Sequence, residues 1–306
     1  MPQDKSTEPH QERIVVGMTA AIGAFLMFTT MNVFAKLLSV NHTVIEIAFY
    51  RNLIASLPFL ILVFGMGRRE IIVIRSKPAF VAIRAVLGSI TLMTTFSAYA
   101  LMPMADTTVF LFTASLFVPV LGVIFLHERV GPYRWTAVVV GFIGVVIMMQ
   151  PSNGMYVLGI AVAMAAALLQ ATLSIILRYL GGHESAETVS FYFFVIGTFV
   201  TALALPFVAV RPTLGEVPLL FGVGMSGAAA QWLYSTAFRN APAAIVSIFN
   251  YSSIIWATLF GWLIWNEFPL PIVFAGAAIV IASNALVIWR ESRLGKIPDP
   301  RLDAKV

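Results

Sequence analysis

The sequence predicts an all-α integral membrane protein, and three observations carry that prediction. Of its 306 residues 59% are hydrophobic and only 11% are charged. A water-facing domain carries nearer a quarter charged residues, and a mean hydropathy of +0.91 leaves too little polar surface for one. Apolar runs long enough to cross a bilayer recur along the whole chain. No spanning structure but helices fits these runs, because lipid offers no partner to exposed backbone N–H and C=O groups.

A spanning helix needs roughly 20 apolar residues at 1.5 Å each. Ten stretches meet this: 14–38, 43–65, 78–101, 105–126, 132–150, 155–179, 188–210, 216–238, 242–265 and 269–289. Short connections punctuated by Pro103, Pro132, Pro151, Gly181-Gly182, Pro212, Pro242 and Pro269 separate them. The polar segment 1–13 has no signal-peptide pattern, and the run from Ile14 reads as a retained helix. Residues 291–306 form a basic tail.

Lys and Arg in short loops set orientation. With the N-terminus inside, 15 of the 19 basic residues fall on the cytoplasmic side, in the tails and near 66–77, 127–134, 178 and 239. Lys36 and Arg211 fall outside, and Arg51 and Arg84 lie within helices. Both termini are therefore expected in the cytoplasm. The net charge of +5 reads as this topology signal and not as a nucleic-acid footprint.

The chain also repeats. A shift of 139 residues places Ala98 on Ala237, Pro103 on Pro242, Gly122 on Gly261, Glu128 on Glu267 and Pro132 on Pro271. A shift of 142 places Lys36 on Arg178. Units 14–150 and 151–290 would each hold five helices, an odd number, so the second would enter the membrane upside down. The result is a 5+5 inverted repeat of ten transmembrane helices. That architecture lets one central site face either side by rocking of the halves.

Several stretches resemble a known family: Phe49-Tyr50-Arg51-Asn52-Leu53 in helix 2, Ala105-Asp106-Thr107-Thr108 opening helix 4, Phe125-Leu126-His127-Glu128-Arg129 closing it, and Trp265-Asn266-Glu267 in the second unit. They are similar to EamA-type members of the drug/metabolite transporter superfamily. The resemblance runs from about Ile14 to Trp289 and implies ten helices, a 5+5 inverted repeat and a central cavity for small amphipathic metabolites. Phe193 stands where the second unit would have its counterpart of Arg51.

Candidate site residues follow from where polarity is costly. Arg51, about 12 Å into helix 2, must face protein or water, since a charge at the bilayer centre costs about 2.5–3.5 kcal/mol. It reads either as a helix fastener or as an attractor for a substrate carboxylate. Thr95 and Tyr99 on helix 3, with Phe110 and Thr113 on helix 4, match Gln231, Trp232, Tyr234 and Ser235 on helix 8 and Asn250 and Tyr251 on helix 9. Polar groups with aromatic faces suit a cavity, although helix–helix hydrogen bonding would use them equally. Asn32 and Gln170 would contribute from helices 1 and 6. Lys36 and Arg84, nearer helix ends, are expected to snorkel. Glu128 and Glu267 are expected to serve backbone donors at the start of the following helix. Pro119 is expected to kink helix 4, with Thr258 as its counterpart.

Other classes fare worse. Cysteine is absent, and the four histidines sit in tails or at helix ends. There is no HExxH or GxSxG pattern and no P-loop. No enzyme, cofactor, metal or ATP-hydrolysing subunit is implied. The partners expected are a small-molecule substrate and the bilayer, with no nucleic acid. The sequence thus points to a secondary transporter of a small amphipathic metabolite in the cytoplasmic (inner) membrane. An amino acid or derivative comes first. A planar aromatic or nucleoside-like compound (cofactor, vitamin or drug), or a channel or lipid-scrambling protein, is the alternative. Glu46 is the lone acidic residue set well into a helix-end region and the centre of the bundle is expected to lack carboxylates, which favours facilitated diffusion or exchange over proton coupling.

Overall fold

A computed structural model of the chain describes residues 8–126, 131–148, 157–181 and 183–293. Among these the regular structure is helical throughout. The order is α1 (Glu8–Leu38), α2 (Val44–Leu60, continued by a π-helical turn, Ile61–Gly65), α3 (Pro78–Leu101), α4 (Met104–Leu111), α5 (Ala114–Leu126) and α6 (Pro132–Met148). Then come α7 (Val157–Gly181), α8 (Ala186–Val208), α9 (Val217–Asn240), α10 (Ala243–Asn250), α11 (Ser252–Trp265) and α12 (Pro271–Arg293). The predicted junction of helices 5 and 6, like Glu128 and residues 294–306 of the basic tail, lies outside the described residues.

Seven stretches are long and apolar enough to cross a bilayer, and Trp135–Met148 and Pro271–Leu286 are shorter apolar helices. The predicted eighth helix is present as α9, with 24 residues, but Gln231, Ser235, Thr236 and Arg239 lower its hydropathy. Helix starts follow local chemistry. Thr43 and Ser185 accept the amides of Glu46 and Thr188 as N-caps, and Pro78 stands where the missing N–H costs nothing.

Two predicted helices are broken. Helix 4 divides at Phe112-Thr113 and helix 9 at Tyr251, so that α4 and α10 are both eight residues long and superimpose in sequence under the 139-residue shift. Both breaks carry side-chain bonds of one kind. Thr113 Oγ1 donates to Phe110 O at 2.7 Å and Ser115 Oγ to Phe112 O at 2.6 Å; Ser253 Oγ donates to Asn250 O. Hydroxyls compete here for carbonyls that an α-helix would give to backbone N–H groups. The chain tightens to i→i+3 bonds, as in Thr113 N to Phe110 O and Tyr251 N to Ile248 O. Pro119 lies inside α5, past the break, and the second unit breaks without any proline.

Packing exchanges the two units. α1 lies on α9 and α3 on α7, α2 on both α8 and α9, α3 on α8, α5 on α7, α4 on α11, and α6 on α12. Residues related by the repeat even touch each other. Phe112 meets Tyr251 edge-on at 5.2 Å between centroids, and Arg51 stands over Phe193 at 5.3 Å. α6 and α12 cross where Gly144 and Gly276 bring backbones together; a Cβ on Gly276 would lie 2.7 Å from Gly144 O.

The bundle has two ends. At one, the α1–α2 turn around His42 meets the α8–α9 turn through Asn41 and Glu216. At the other, loop 66–77 meets the start of α8 through Arg68 and Glu187. α2 and its π turn, 22 residues, run between them. Loop 66–77 and loop 209–216 therefore sit at opposite ends. Gly17, early in α1, lies against Ala241 just past α9, so those helices run antiparallel.

Candidate functional site

The predicted site residues do not gather in one place. Asn32 lies beside the Tyr99 hydroxyl, which pairs with Thr108 Oγ1 at 3.0 Å. Asn32 Oδ1 is buried with no donor. Thr95 is half-buried one turn before Tyr99. Phe110, Thr113, Asn250 and Tyr251 mark the two helix breaks. Of these, Phe110 and Thr113 are packed in the core, with Thr113 also 3.6 Å from Met164 Sδ. Tyr234 stacks edge-on with Phe28, one turn from Asn32, at 5.9 Å and with Phe25 at 6.0 Å. Gln231 donates to Ser190 Oγ across α8 and α9 at 3.2 Å, and Ser235 is half-buried one turn on.

Two residues lie apart. Trp232 is 65% exposed and shares its face with Phe221 and Met225. Eleven residues at 100° each return Trp232 to within about 20° of Phe221, which puts it on the outer side. Gln170 is exposed too, but it continues the stripe of Ala163 and Ala166, both fully buried, so the inward face of α7 opens at that point. A separate apolar groove of about 490 Å³ between α11 and α12, lined by Ile254, Thr258, Trp262, Phe274 and Ile281, contains none of the predicted residues.

Charged residues depart most from expectation. Arg84 does not snorkel. It is 6% exposed and its guanidinium lies 4.2 Å from the Phe193 ring, because Gly88 leaves room for Phe193 against α3. Arg51, 2% exposed, stands over Phe193 and Phe194 and donates to Asn52 Oδ1 at 2.9 Å. Lys36 does not snorkel either. Its Nζ lies 2.8 Å from Glu267 Oε2, 3.1 Å from Met102 O and 4.7 Å from the Trp265 ring. Glu267 serves a helix start as expected, but that of α4, through Met104 N at 3.3 Å, and not that of α12. Asn266, in the left-handed region at φ 56°, turns the chain so that Glu267 can reach across.

Polar ties between the two units were missed by sequence reasoning. At the His42 end the imidazole nitrogens lie 3.0 Å from Glu46 and 3.3 Å from Glu216. Glu216 also accepts from Asn41 Nδ2 and Thr213 N, each at 2.8 Å. The Thr213 amide, then the Asn41 side chain, hold the Glu216 carboxyl down at about 2. At the Arg68 end Glu184 accepts the amides of Arg75, Ser76 and Lys77 at 2.8–2.9 Å. Those amides, Arg75 first, lower its pKa. Arg68 bridges to Glu187 at 2.8 Å. Among the described residues no group of three His, Asp or Glu could hold a metal ion.

This architecture can be set beside known proteins. A solved crystal structure superimposes with a TM-score of 0.61 at 17% identity, over 93% of this chain and 99% of that one, a likeness of fold. The pseudopaline exporter CntI of Pseudomonas aeruginosa is 27% identical over 87% of this chain and 94% of its own length. The S-adenosylmethionine uptake transporter of Rickettsia bellii is 28% identical over 89% and 94%. The riboflavin transporter of Vibrio cholerae is 32% identical over 60% and 62%. The EamA-like transporter family matches twice, over residues 15–150 and 157–289, once for each half of the packed bundle. On these grounds the chain belongs to the EamA-like transporter family, a family of membrane transporters and not of enzymes.

Proposed function

We propose that this transporter moves a small amphipathic metabolite across the cytoplasmic membrane by alternating access, as a secondary carrier. It would do so with ten spans arranged as two inverted five-helix units, 14–150 and 151–290, and with both termini cytoplasmic. One observation carries the reading: among the described residues, each end of the bundle is closed by polar ties that join the first unit to the second. Lys36–Glu267 and the His42 cluster do so at one end, and Glu184 and Arg68–Glu187 at the other. Rocking the units needs such contacts to form and break by turns. Arg51, Asn32, Thr95, Tyr99, Gln170, Gln231, Tyr234, Ser235, Asn250 and Tyr251 remain the residues proposed to meet substrate.

Amino acids and their derivatives are the favoured cargo. Planar aromatic or nucleoside-like compounds are a second reading, favoured by relatives named for riboflavin and S-adenosylmethionine. One relative is named an exporter and another an uptake transporter. The test is counterflow in proteoliposomes loaded with amino acids, riboflavin or S-adenosylmethionine. A carrier gives saturable flux that unlabelled compound competes away. Flux that rises linearly with concentration and resists competition identifies a channel and overturns the proposal.

A further inference from the structure

Arg51 and Arg84 are two cations enclosed in the bundle with no carboxylate against either. Among the described residues neither forms an ion pair. Arg51 makes one side-chain hydrogen bond, to its neighbour Asn52, and Arg84 has only the Phe193 ring. Both guanidiniums share that ring, at 5.3 and 4.2 Å from its centroid. The buried atoms left without a partner here are Arg51 Nε, Asn52 Nδ2, Arg84 Nε and Arg84 Nη1. All four are donors. A Cβ on Gly197 would lie 2.7 Å from both Asn52 Nδ2 and Ser89 Oγ, and one on Gly227 2.9 Å from Arg51 Nε. The donors thus come from α2 and α3, and α8 and α9 pack closely against them.

Two like charges away from water repel, and buried donors without acceptors each carry a desolvation penalty. A single species removes both costs: an anion with several lone pairs. Guanidinium forks match the geometry of carboxylate and phosphate oxygens. A halide offers one centre and cannot satisfy divergent donors as well. We propose that Arg51 and Arg84, with Asn52, bind an oxyanionic group, a carboxylate or phosphate, carried by the transported compound. This rests on the transporter reading above and narrows its substrate class.

The full-length protein in detergent would be melted by tryptophan fluorescence while sodium acetate or sodium phosphate replaces sodium chloride at constant ionic strength. A ligand of the native state raises the melting temperature by mass action. A saturable rise with acetate or phosphate, absent with chloride, is expected. Arg84→Gln should weaken half-saturation about tenfold or more. Arg84→Lys keeps the charge without the fork, and should fall between. It carries the comparison alone if Arg84→Gln yields no folded protein. No oxyanion-specific rise, an equal rise with chloride, or half-saturation unchanged in the variants overturns the site. Proteoliposome flux separates the two readings. Saturable flux without any oxyanion shift removes this site and leaves the carrier. A shift without saturable flux overturns the assignment of the oxyanion to a transported compound.

Discussion

Lys36→Met should destabilise the protein through the partner it leaves behind. Glu267 is 28% exposed at its side chain and Lys36 11%, with 2.8 Å between charges. At that distance and an effective dielectric constant of 20 the attraction is about 6 kcal/mol, much of it cancelled by desolvation. After the substitution Glu267 keeps only the Met104 amide at 3.3 Å, a stranded carboxylate costing about 3 kcal/mol. Glu267→Gln leaves the ammonium its Met102 carbonyl and costs about 1–2 kcal/mol. The double variant should recover about 1–3 kcal/mol of the summed losses. Tryptophan fluorescence is the natural reporter, since Trp265 lies 4.7 Å from Lys36 Nζ. At about 2–4 °C per kcal/mol, Lys36→Met should lower the melting temperature by about 6–12 °C. Losses that add to within about 0.5 kcal/mol would show the pair to be uncoupled and refute the reasoning.

Other outcomes can be checked alongside. Gly276→Ala should cost about 1–3 kcal/mol by overpacking against Gly144 O and Met148. Gly215→Ala, with nothing within 4 Å of its Cβ, should be neutral or raise stability by under about 1 kcal/mol; thermal melts of both variants decide. Glu184 and Glu216 have lowered pKa values, so they stabilise the fold above the ordinary carboxylate range. Their contribution is lost as pH falls, for Glu216 toward about 2. The melting temperature should therefore drop on acidification below about pH 5, more shallowly in Glu216→Gln. Trp232→Leu, on the outer face, should leave flux unchanged while Asn32→Leu abolishes it. The opposite pattern would return Trp232 to the site.

The helices were legible because hydropathy reports directly on the solvent around a segment. The breaks at Phe112-Thr113 and Tyr251 were not, since a local tightening to i→i+3 bonds leaves the hydropathy of the stretch unchanged. Pro119 drew attention to the helix that breaks, but the break at Phe112-Thr113 lies upstream of it. Arg84, only two turns into its helix, has the sequence position of a snorkelling residue. Its inward rotamer depends on Gly88 and Phe193, which distant parts of the chain supply. Trp232 could have been placed correctly from its eleven-residue spacing to Phe221. His42 and Glu216 carry no local signal of each other, being 174 residues apart.

The antiparallel disposition of the two units is open to one direct measurement. The chain lacks cysteine, so Val73→Cys and Leu214→Cys each create a lone thiol, at positions 58% and 93% exposed. A thiol reagent that cannot cross the membrane, applied to intact cells, should label residue 214 and spare residue 73 until the membrane is opened. Labelling of both from the same side would contradict the account.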